Sequence, residues 1–425
     1  MTSKGTPDAR FIAGPQGRLT MAMLVLVAGT ALGAEAPIRR DAPPVPKPIR
    51  PPSAQAINAA ITRGVDFLVR RQGPAGWWGA ARNTKQLNIY APVPGAHHAF
   101  RAGVTSLCVS ALIESGDTRP AVIEAIDSGE AWLIDHLPKL RRAHPRALYN
   151  NWGHAFGIQA LVRMAGRAPE DSPRREQLRK LIAGQIELLG RYESVNGGWG
   201  YYDFNLRSQK PGGGETAFTT ATVLFALNQA GTVGVEAPPK LVKRGLAALR
   251  RMRNPNSSYL YSGGMKWRPT YPINRPAGSL GRSQAGNCAL RAWGCKEITD
   301  EVLRTWLDRL AARNFWLDIG RKRPVPHESH AQVAGYFFYF GHYYAGLCID
   351  QLPPAQRPHF QGHLAHILLK LQERDGSWWD FPLYDYHQQY GTAMAVMALT
   401  RCRPTNQNQP QTASKQNKNR QGRQE

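Results

Sequence analysis

The stretch that decides the fold reads Arg63-Gly64-Val65-Asp66-Phe67-Leu68-Val69-Arg70-Arg71-Gln72-Gly73-Pro74-Ala75-Gly76-Trp77-Trp78. The same frame, a helix followed by Gln, a turn, glycine and an aromatic residue, returns as Gln372-Glu373-Arg374-Asp375-Gly376-Ser377-Trp378. Two altered copies lie between them, one from Glu193 to Trp199 and one from Arg244 to Tyr259. Units that recur in this way bury a core only by stacking on one another. The motif therefore predicts a helical repeat architecture.

Two kinds of helix alternate along the chain. The first kind is apolar on one face, as shown by Ile57, Ala60, Ile61, Gly64, Val65, Leu68 and Val69 at helical spacing. Similar helices are predicted to begin near Pro120, Pro173, Pro239, Thr299 and Pro354, because proline is tolerated in a first turn. The second kind lacks a polar face, as in residues 217–227 and 392–399. Further helices of this kind are expected at roughly 99–115, 148–165, 281–294 and 327–351.

A helix without a polar face must be covered on both sides. Six such helices in a parallel inner barrel, wrapped by six one-sided helices, satisfy this requirement. The pattern therefore predicts an all-α fold, an α6/α6 toroid, as one domain from residue 53 to 402. The alternative is an open superhelical solenoid, which would need polar capping helices at its ends. The last inner helix, Met394 to Leu399, is not polar.

The two ends of the chain differ in composition from this domain. Residues 1–36 resemble a signal peptide, with Lys4, Arg10 and Arg18 before an apolar stretch that is too short to span a bilayer. We therefore expect export to the periplasm or the extracellular space, with an uncleaved leader as the alternative. Residues 37–52 predict a proline-rich linker, and residues 403–425 a disordered basic and polar tail. No transmembrane segment is predicted in the mature chain.

The net charge indicates which partners to expect, and the cysteine count indicates whether disulfides form. The 425-residue chain has a formal net charge of +24, with basic and acidic residues interleaved. This charge indicates a solvated basic surface or attraction to an anionic polymer through the surface and the tail. Five cysteines leave one unpaired, and Cys288 and Cys295 on one helix would lie about 10 Å apart. We therefore predict buried free thiols.

The segment from Arg63 to Trp78 resembles the Gln-Trp repeat of squalene and terpenoid cyclases. The predicted ring is similar to the toroid of the terpenoid cyclase and protein prenyltransferase superfamily, and the resemblance covers nearly all of the mature chain. It implies that the Gln and Trp side chains of the motif tie neighbouring repeats together. These residues, assigned a structural role, are Gln72, Trp78, Gln372 and Trp378.

The catalytic signatures of that superfamily are incomplete here. The Asp-x-Asp-Asp cluster of the alkene-protonating cyclases is absent, as is the Cys-Gly-Glu-Gln of thioester relatives. Tyr386-His387-Gln388-Gln389-Tyr390 resembles the segment that carries the zinc-binding His of prenyltransferases. Their Asp-x-Cys pair is missing, because Cys288 follows Asn287 and Cys295 follows Gly294. Zinc remains a candidate cofactor with an incomplete ligand set, since zinc sites need three or four ligands.

The toroid predicts the place of a site, because the N-termini of parallel inner helices meet at one mouth. These termini favour an anionic ligand and keep nearby histidines neutral. The residues expected at the mouth are His97, His98, Asn151, Trp152, His154, Glu215, Thr216, Arg282, Ser283, His327, Glu328, His330, Asp385, His387 and Tyr390. The histidines are read as ligand-binding or acid–base groups, or alternatively as helix caps. In particular, we expect His98, His154, Glu215, His330 and His387 to surround one opening.

Two further sets of residues are candidates for chemistry or binding. Glu215 and Asp203 could form an acid–base pair for glycoside cleavage, with His387 as a third catalytic candidate. Glu215 could equally be a favourable charge at a helix start. The aromatic stretch from Tyr336 to Tyr344, with Tyr339 and Tyr343, could hold an isoprenoid chain by apolar and cation–π contact. Core packing is the alternative for this stretch.

Three function classes follow. The first, which we favour, is an exported toroid that binds a lipid-like or anionic small molecule in its funnel. The second is an enzyme acting on isoprenoids or lipids, including a metal-dependent prenyl-transfer-like enzyme. The third is a polysaccharide-cleaving lyase or hydrolase, which would bind a glycan. A mouth lined by aromatic residues would favour isoprenoids, whereas unpaired carboxylates and ring-stacking Trp would favour sugar.

Overall fold

A computed structural model describes residues 44–82, 95–203 and 210–404 of the chain. The predicted signal peptide, the start of the linker and nearly all of the predicted tail lie outside these residues. Within the described ranges the chain is helical, and its β pairing consists of isolated bridges. No helix in these ranges is both long and apolar enough to cross a bilayer.

Twelve helices in the described residues form two layers. The outer helices are α1 (Ala54–Arg70), α3 (Pro120–His136), α5 (Pro173–Arg191), α7 (Pro239–Arg251), α9 (Asp300–Ala312) and α12 (Arg357–Leu369). The inner helices are α2 (Ala96–Ser115), α4 (Asn150–Arg167), α6 (Ala217–Thr232), α8 (Pro276–Ala292), α11 (Phe337–Asp350) and α13 (His387–Thr400). A single turn of helix, α10 (Phe315–Asp318), lies between α9 and α11.

The inner helices form a closed barrel. Each packs against the next, and α13 packs against α2. They run in parallel: Trp152 near the start of α4 stacks on Phe218 near the start of α6, with ring centroids 5.8 Å apart. At the other end, Arg163 of α4 and Arg401 after α13 both contact Glu114 of α2. The predicted α6/α6 toroid is therefore confirmed, and the open solenoid is excluded. We refer to the N-terminal and C-terminal ends of this barrel.

The Gly-aromatic turns join outer to inner helices through matching contacts. In each turn the Trp indole N–H donates to a carbonyl ten residues upstream in its own outer helix. The Trp backbone N–H donates to a Thr hydroxyl on the following inner helix. The three sets are Trp78 with Leu68 and Thr105, Trp199 with Leu189 and Thr220, and Trp378 with Leu368 and Thr392. Each Trp is fully buried, so it fixes the angle between its two helices.

The Gln residues of the motif join consecutive outer helices. The Gln72 amide donates to the Ala125 carbonyl of α3 at 2.8 Å, and Gln372 donates to the Ala60 carbonyl of α1 at 2.9 Å. Gly376 has a φ of +91°, and a Cβ there would lie 2.4 Å from the Arg63 carbonyl oxygen. Glycine is required because this turn packs directly on the backbone of α1. The structural role assigned to these Gln and Trp residues agrees with their contacts.

Most helix starts follow the sequence signals, although α8 begins at Pro276, five residues before the predicted 281. Proline occupies the first turns of α3, α5 and α7, and the Thr299 hydroxyl caps α9. The prediction that an inner helix begins at 327 was wrong, because α11 begins at Phe337. Pro324 and Pro326 lack backbone N–H groups, and His327 has a φ of +63°. Neither feature fits a helix.

The cysteines agree with the prediction of free thiols. All five lie in described residues, and all five are buried and unpaired. Burial is the main effect on the thiols of Cys108 and Cys402 and raises the pKa of both. These thiols therefore remain protonated and act as small core side chains.

Candidate functional site

Aromatic rings meet at the N-terminal end of the barrel. Phe100 of α2 lies 4.8 Å from Tyr149, and Tyr149 lies 6.1 Å from Tyr201, measured between ring centroids. Phe218 of α6 lies 5.7 Å from Tyr201 and 5.3 Å from Tyr261. We call the whole set the aromatic mouth; its members are His97, Phe100, Tyr149, Trp152, Tyr201, Tyr202, Phe218, Tyr261, His327, Tyr336, Phe337, Phe340, Tyr384 and Tyr386. Many of these rings are partly exposed, including Trp152, Tyr201 and Tyr261.

Polar tips of the mouth form a hydrogen-bonded row. The Tyr201 hydroxyl contacts the Tyr261 hydroxyl, which lies 3.5 Å from the Tyr336 hydroxyl. The Tyr336 hydroxyl lies 3.1 Å from Nε2 of His327. We call these four residues the hydroxyl chain. Burial raises the pKa of the three phenols and lowers the pKa of His327. All four groups are therefore neutral near neutral pH.

A buried cation adjoins the hydroxyl chain. Arg282 of α8 is 1% exposed, and its guanidinium donates to the carbonyls of Tyr259 at 3.0 Å and Gly278 at 2.8 Å and to that of Ile273. Its Cζ lies 5.6 Å from the Tyr261 ring centroid. Burial lowers the Arg282 pKa to about 9, so the group stays charged at neutral pH. Among the ion pairs of the described residues none involves Arg282.

The opposite side of the mouth carries a neutralised carboxylate. Asp385 pairs with Arg71 at 2.5 Å and accepts a hydrogen bond from the Gln389 amide at 3.3 Å. Nearby, Nδ1 of His97 lies 3.0 Å from the Tyr386 hydroxyl. Burial is the largest effect on His97 and lowers its pKa, as does the charge of Arg101. Around His97 the mouth therefore combines rings with neutral polar groups.

Below the mouth the barrel axis is filled with side chains. Phe340, Tyr343 and Tyr344 of α11 are buried. The Tyr343 hydroxyl donates to Gln159 at 3.0 Å, and the Tyr344 hydroxyl donates to Thr222 at 2.9 Å. Tyr343 therefore belongs to the core, as does Tyr339, which is fully buried and packs on Phe338. Their predicted ligand-binding roles would require this core to open.

Four predicted site residues lie at or beside the mouth. Trp152 is stacked between Phe156 and Phe218 and partly exposed. His327 belongs to the hydroxyl chain, although the loop before α11 carries it rather than a helix start. The Tyr390 hydroxyl donates to the Tyr336 carbonyl at 3.2 Å. Asp385 lies between Tyr384 and Tyr386 in the sequence, and both of these rings pack against His97. The structure thus brings Trp152, His327, Asp385 and Tyr390 into one region.

Three predicted site residues have side-chain partners that are not members of the aromatic mouth. His154 is buried between α4 and α5, where its Nδ1 lies 2.7 Å from Gln185 Oε1 and its ring stacks on Tyr192. Burial lowers the His154 pKa to about 4. Glu215 accepts a hydrogen bond from Ser194 at 3.3 Å, whereas Asp203 pairs with Arg142 at 3.0 Å. The two carboxylates thus have different partners, and their acid–base pairing stays a prediction.

The remaining histidines differ in their exposure. His98 and His330 are exposed. His387 is buried, donates from Nδ1 to the Tyr384 carbonyl at 2.6 Å and packs edge-on against Trp379. The prediction that His98, His154, Glu215, His330 and His387 surround one opening is wrong for His154, which is buried against α5. A helix-start position fixes the end of the barrel but not the direction of the side chain. For the other four residues the shared opening stays a prediction.

The structure also bears on zinc. In the ranges that the structure covers, no three His, Cys, Asp or Glu side chains are grouped as metal ligands. His387 uses Nδ1 for a backbone carbonyl and would have only Nε2 for a metal. Its companion ligands are not supplied by Cys288 or Cys295, which are buried elsewhere in the core. The zinc ligand set therefore does not gather in the described residues.

Sequence reasoning missed the row of hydroxyls. Tyr201 and Tyr261 each follow a buried turn aromatic by two residues, in Trp199-Gly200-Tyr201 and Tyr259-Leu260-Tyr261. In both cases this tyrosine lies at the barrel mouth. This spacing was a usable signal.

Comparisons with solved structures identify the fold. The unsaturated glucuronyl hydrolase of Bacillus sp. GL1 is 14% identical, with 82% of this chain and 96% of that chain covered and a TM-score of 0.52. The type II terpene cyclase MstE of Scytonema is 16% identical, with coverage of 83% and 99% and a TM-score of 0.48. A form of that cyclase in complex with its substrate, geranylgeranyl dihydroxybenzoate, is 15% identical, with coverage of 83% and 98% and a TM-score of 0.47. No protein-family model and no curated protein matches the sequence.

The chain is therefore an α/α-toroid protein. At this level of identity the likeness to the glucuronyl hydrolase shows the fold alone, because one fold can host many unrelated functions. The residues of the aromatic mouth are therefore the basis for a proposal about function.

Proposed function

We propose that this protein is an exported toroid that binds an isoprenoid-like or other lipid-like small molecule at the aromatic mouth. The aromatic mouth itself is the observation that carries this proposal. Rings near the starts of inner helices form a continuous, partly exposed surface there. Such a surface gains free energy by covering an apolar ligand.

The charges of the region support an apolar ligand over a glycan. Asp203 and Asp385 are each paired with an arginine. Glycoside cleavage needs two carboxylates facing one bond, whereas Asp203 is paired with Arg142 and Glu215 accepts a hydrogen bond from Ser194. The lead proposal is therefore binding, and a polysaccharide-cleaving enzyme remains the alternative.

Two parts of the proposal come from the sequence. Export follows from the signal-like residues 1–36, and a second, anionic polymer partner follows from the net charge of +24. Secretion is tested by determining the N-terminus of the protein recovered from its source cells. A mature N-terminus near residue 37 is the expected result, and an intact leader on cytoplasmic protein would contradict it.

Ligand binding is tested by displacement of a fluorescent prenyl probe from the purified protein. Geranylgeraniol should displace the probe, whereas a neutral oligosaccharide should not. Trp152→Ala should weaken binding about tenfold, because a stacked ring contributes roughly 0.5–1.5 kcal/mol beyond its buried area. Trp267→Ala is the matched control, since Trp267 is 81% exposed and lies outside the aromatic mouth.

The glycan alternative has its own result in the same experiment. Binding of an oligoglucuronate, with no response to geranylgeraniol, would overturn the lipid-like ligand and favour a glycan. Equal loss of prenyl binding in the Trp152 and Trp267 variants would show that the mouth is not the binding surface.

A further inference from the structure

The hydrogen bonds of the hydroxyl chain have one direction, and His327 sets it. Nδ1 of His327 lies 2.8 Å from the carbonyl oxygen of Gln332, which can only accept. Nδ1 therefore carries the proton, and Nε2 is a free acceptor. The Tyr336 hydroxyl, 3.1 Å away, must donate to it.

This direction propagates along the chain. A hydroxyl has a single hydrogen, and that of Tyr336 is given to His327. Tyr261 can then only donate to the Tyr336 oxygen at 3.5 Å, and Tyr201 can only donate to Tyr261. Every hydroxyl thus points its proton towards the imidazole. A proton that arrives at Tyr201 can be passed on by successive transfers until it reaches Nε2.

Backbone strain marks the loop that carries the imidazole. His327 has a φ of +63°, Gln332 has a φ of +54°, and Lys322 has a φ of +65°. Left-handed backbone at non-glycine residues costs free energy, and such residues cluster at functional sites. Here the strain places the Gln332 carbonyl against Nδ1 and so fixes the tautomer.

The positive charge of Arg282 stabilises a negative charge next to the hydroxyl chain. Its guanidinium lies 5.6 Å from the Tyr261 ring and has only backbone carbonyls and rings as described partners. An unneutralised cation in a region of low dielectric favours an anion beside it. Burial is the largest effect that lowers the pKa of His327, and the same cation adds to it. The imidazole is therefore neutral until a ligand anion beside Arg282 offsets the charge of that cation.

We propose that the hydroxyl chain is an acid–base centre that accepts a proton from an ionisable hydroxyl group, such as a phenol, on the apolar ligand. This inference rests on the proposed binding at the aromatic mouth and adds a chemical activity to it. It also specifies the ligand: an apolar body that carries an acidic hydroxyl group.

The proton transfer needs no groups other than those of the protein and the ligand. The O–H bond of the ligand breaks, and its electron pair stays on the ligand oxygen. One proton moves to Tyr201, one from Tyr201 to Tyr261, and one from Tyr261 to Tyr336. The proton of Tyr336 forms a new N–H bond at Nε2 of His327. The products are a ligand anion near Arg282 and an imidazolium.

The test uses a nitrophenol that carries a long alkyl chain, because its visible absorbance reports its ionisation when bound. Bound to the wild-type protein, its ionisation constant should exceed that in neutral detergent micelles by about tenfold or more, as expected for a nearby cation and acceptor. Binding itself is followed separately by displacement of the fluorescent prenyl probe.

Variants separate the activity from binding. His327→Gln and Tyr336→Phe should still bind the probe but lose most of the enhanced ionisation. Tyr271→Phe is the matched control, because Tyr271 is 40% exposed and lies outside the aromatic mouth; it should keep the enhancement. Two variants are used so that one folded variant is sufficient.

Each outcome decides the proposal. Loss of ionisation with retained binding in either folded chain variant supports it. Wild-type binding without enhanced ionisation, or full enhancement in both chain variants, overturns the acid–base centre and leaves the proposed ligand binding intact. Failure of the wild type to bind any prenyl or alkyl probe overturns both.

Discussion

The two ends of the inner barrel differ in the polar groups that they bury. At the N-terminal end most polar groups are neutral hydroxyls and imidazoles among partly exposed rings. The charges there include the buried Arg282 and the Arg71–Asp385 pair. At the C-terminal end the polar groups form a network of full charges. Glu114 pairs with Arg163 at 2.6 Å and with Arg401 at 2.5 Å, and Arg401 also pairs with Asp350 at 2.9 Å. We call these four residues the ion cluster.

This difference supports the proposal that the N-terminal end, and not the C-terminal end, binds the ligand. The ion cluster joins the ends of α2, α4, α11 and α13 and matches two positive with two negative charges. Opening it would strand charges with little exposure to water. Rings and hydroxyls can exchange a neighbour for a ligand at much lower cost. The C-terminal end therefore closes the barrel, and this agrees with the proposed binding at the N-terminal end.

The largest expected effect is at the closed end. Glu114→Gln leaves both arginines without their shared carboxylate and should reduce the free energy of unfolding by about 3–5 kcal/mol. The measurement is urea denaturation followed by circular dichroism. Glu187→Gln, which breaks an exposed i,i+4 pair with Arg191 on α5, is the control and should change little. Similar losses in both variants would contradict the closing role.

The ion cluster also predicts an acid-dependent loss of stability. Burial raises the pKa of Glu114, but the charges of Arg163 and Arg401 outweigh it, leaving the pKa at about 2 against an ordinary 4.5. A carboxyl with a depressed folded pKa stabilises the fold fully above its unfolded pKa, and this contribution disappears as the pH falls through the folded value. Stability should therefore decline below about pH 4.5.

Asp350 acts in the opposite sense, because burial raises its pKa despite Arg401. The contribution of Glu114 is isolated by comparing urea midpoints of the wild type and Glu114→Gln between about pH 6 and about pH 3. The gap between the two proteins should narrow as the pH falls. A constant gap would show that the carboxylate charge is not what closes this end.

The smallest expected effect is at the open end. Tyr202→Phe removes the hydroxyl that contacts Tyr149 and should cost about 1 kcal/mol or less, because nearby water can replace a partly exposed partner. Thermal unfolding would measure this. A loss as large as that of Glu114→Gln would remove the contrast between the two ends.

The fold could be predicted because its signals are local and repeated. The turn from Gln72 to Trp78 reappears with its Gln, Gly and Trp in place, and each residue makes the contact that its position implies. The absence of charge on residues 217–227 was sufficient to place α6 inside. Closure followed, since the last inner helix, Met394 to Leu399, is not polar.

The site could be predicted only as far as its end of the barrel. Trp152 and His327 lie at the mouth, but His154, two residues after Trp152, points outward to α5. One helical residue turns about 100°, so a helix start alone does not say which side chains face the axis. The hydroxyl chain was missed because its members come from three separate segments and meet only through the closed ring.

Closure has a consequence for the order of the chain. Arg403 donates to Asn58 of α1 and to the Ser115 carbonyl of α2, both at 2.9 Å, so the start and the finish of the toroid are neighbours. A ring has no intrinsic first helix. A circularly permuted gene that begins at one of the outer helices, with a short bridge across the old ends, should encode the same toroid.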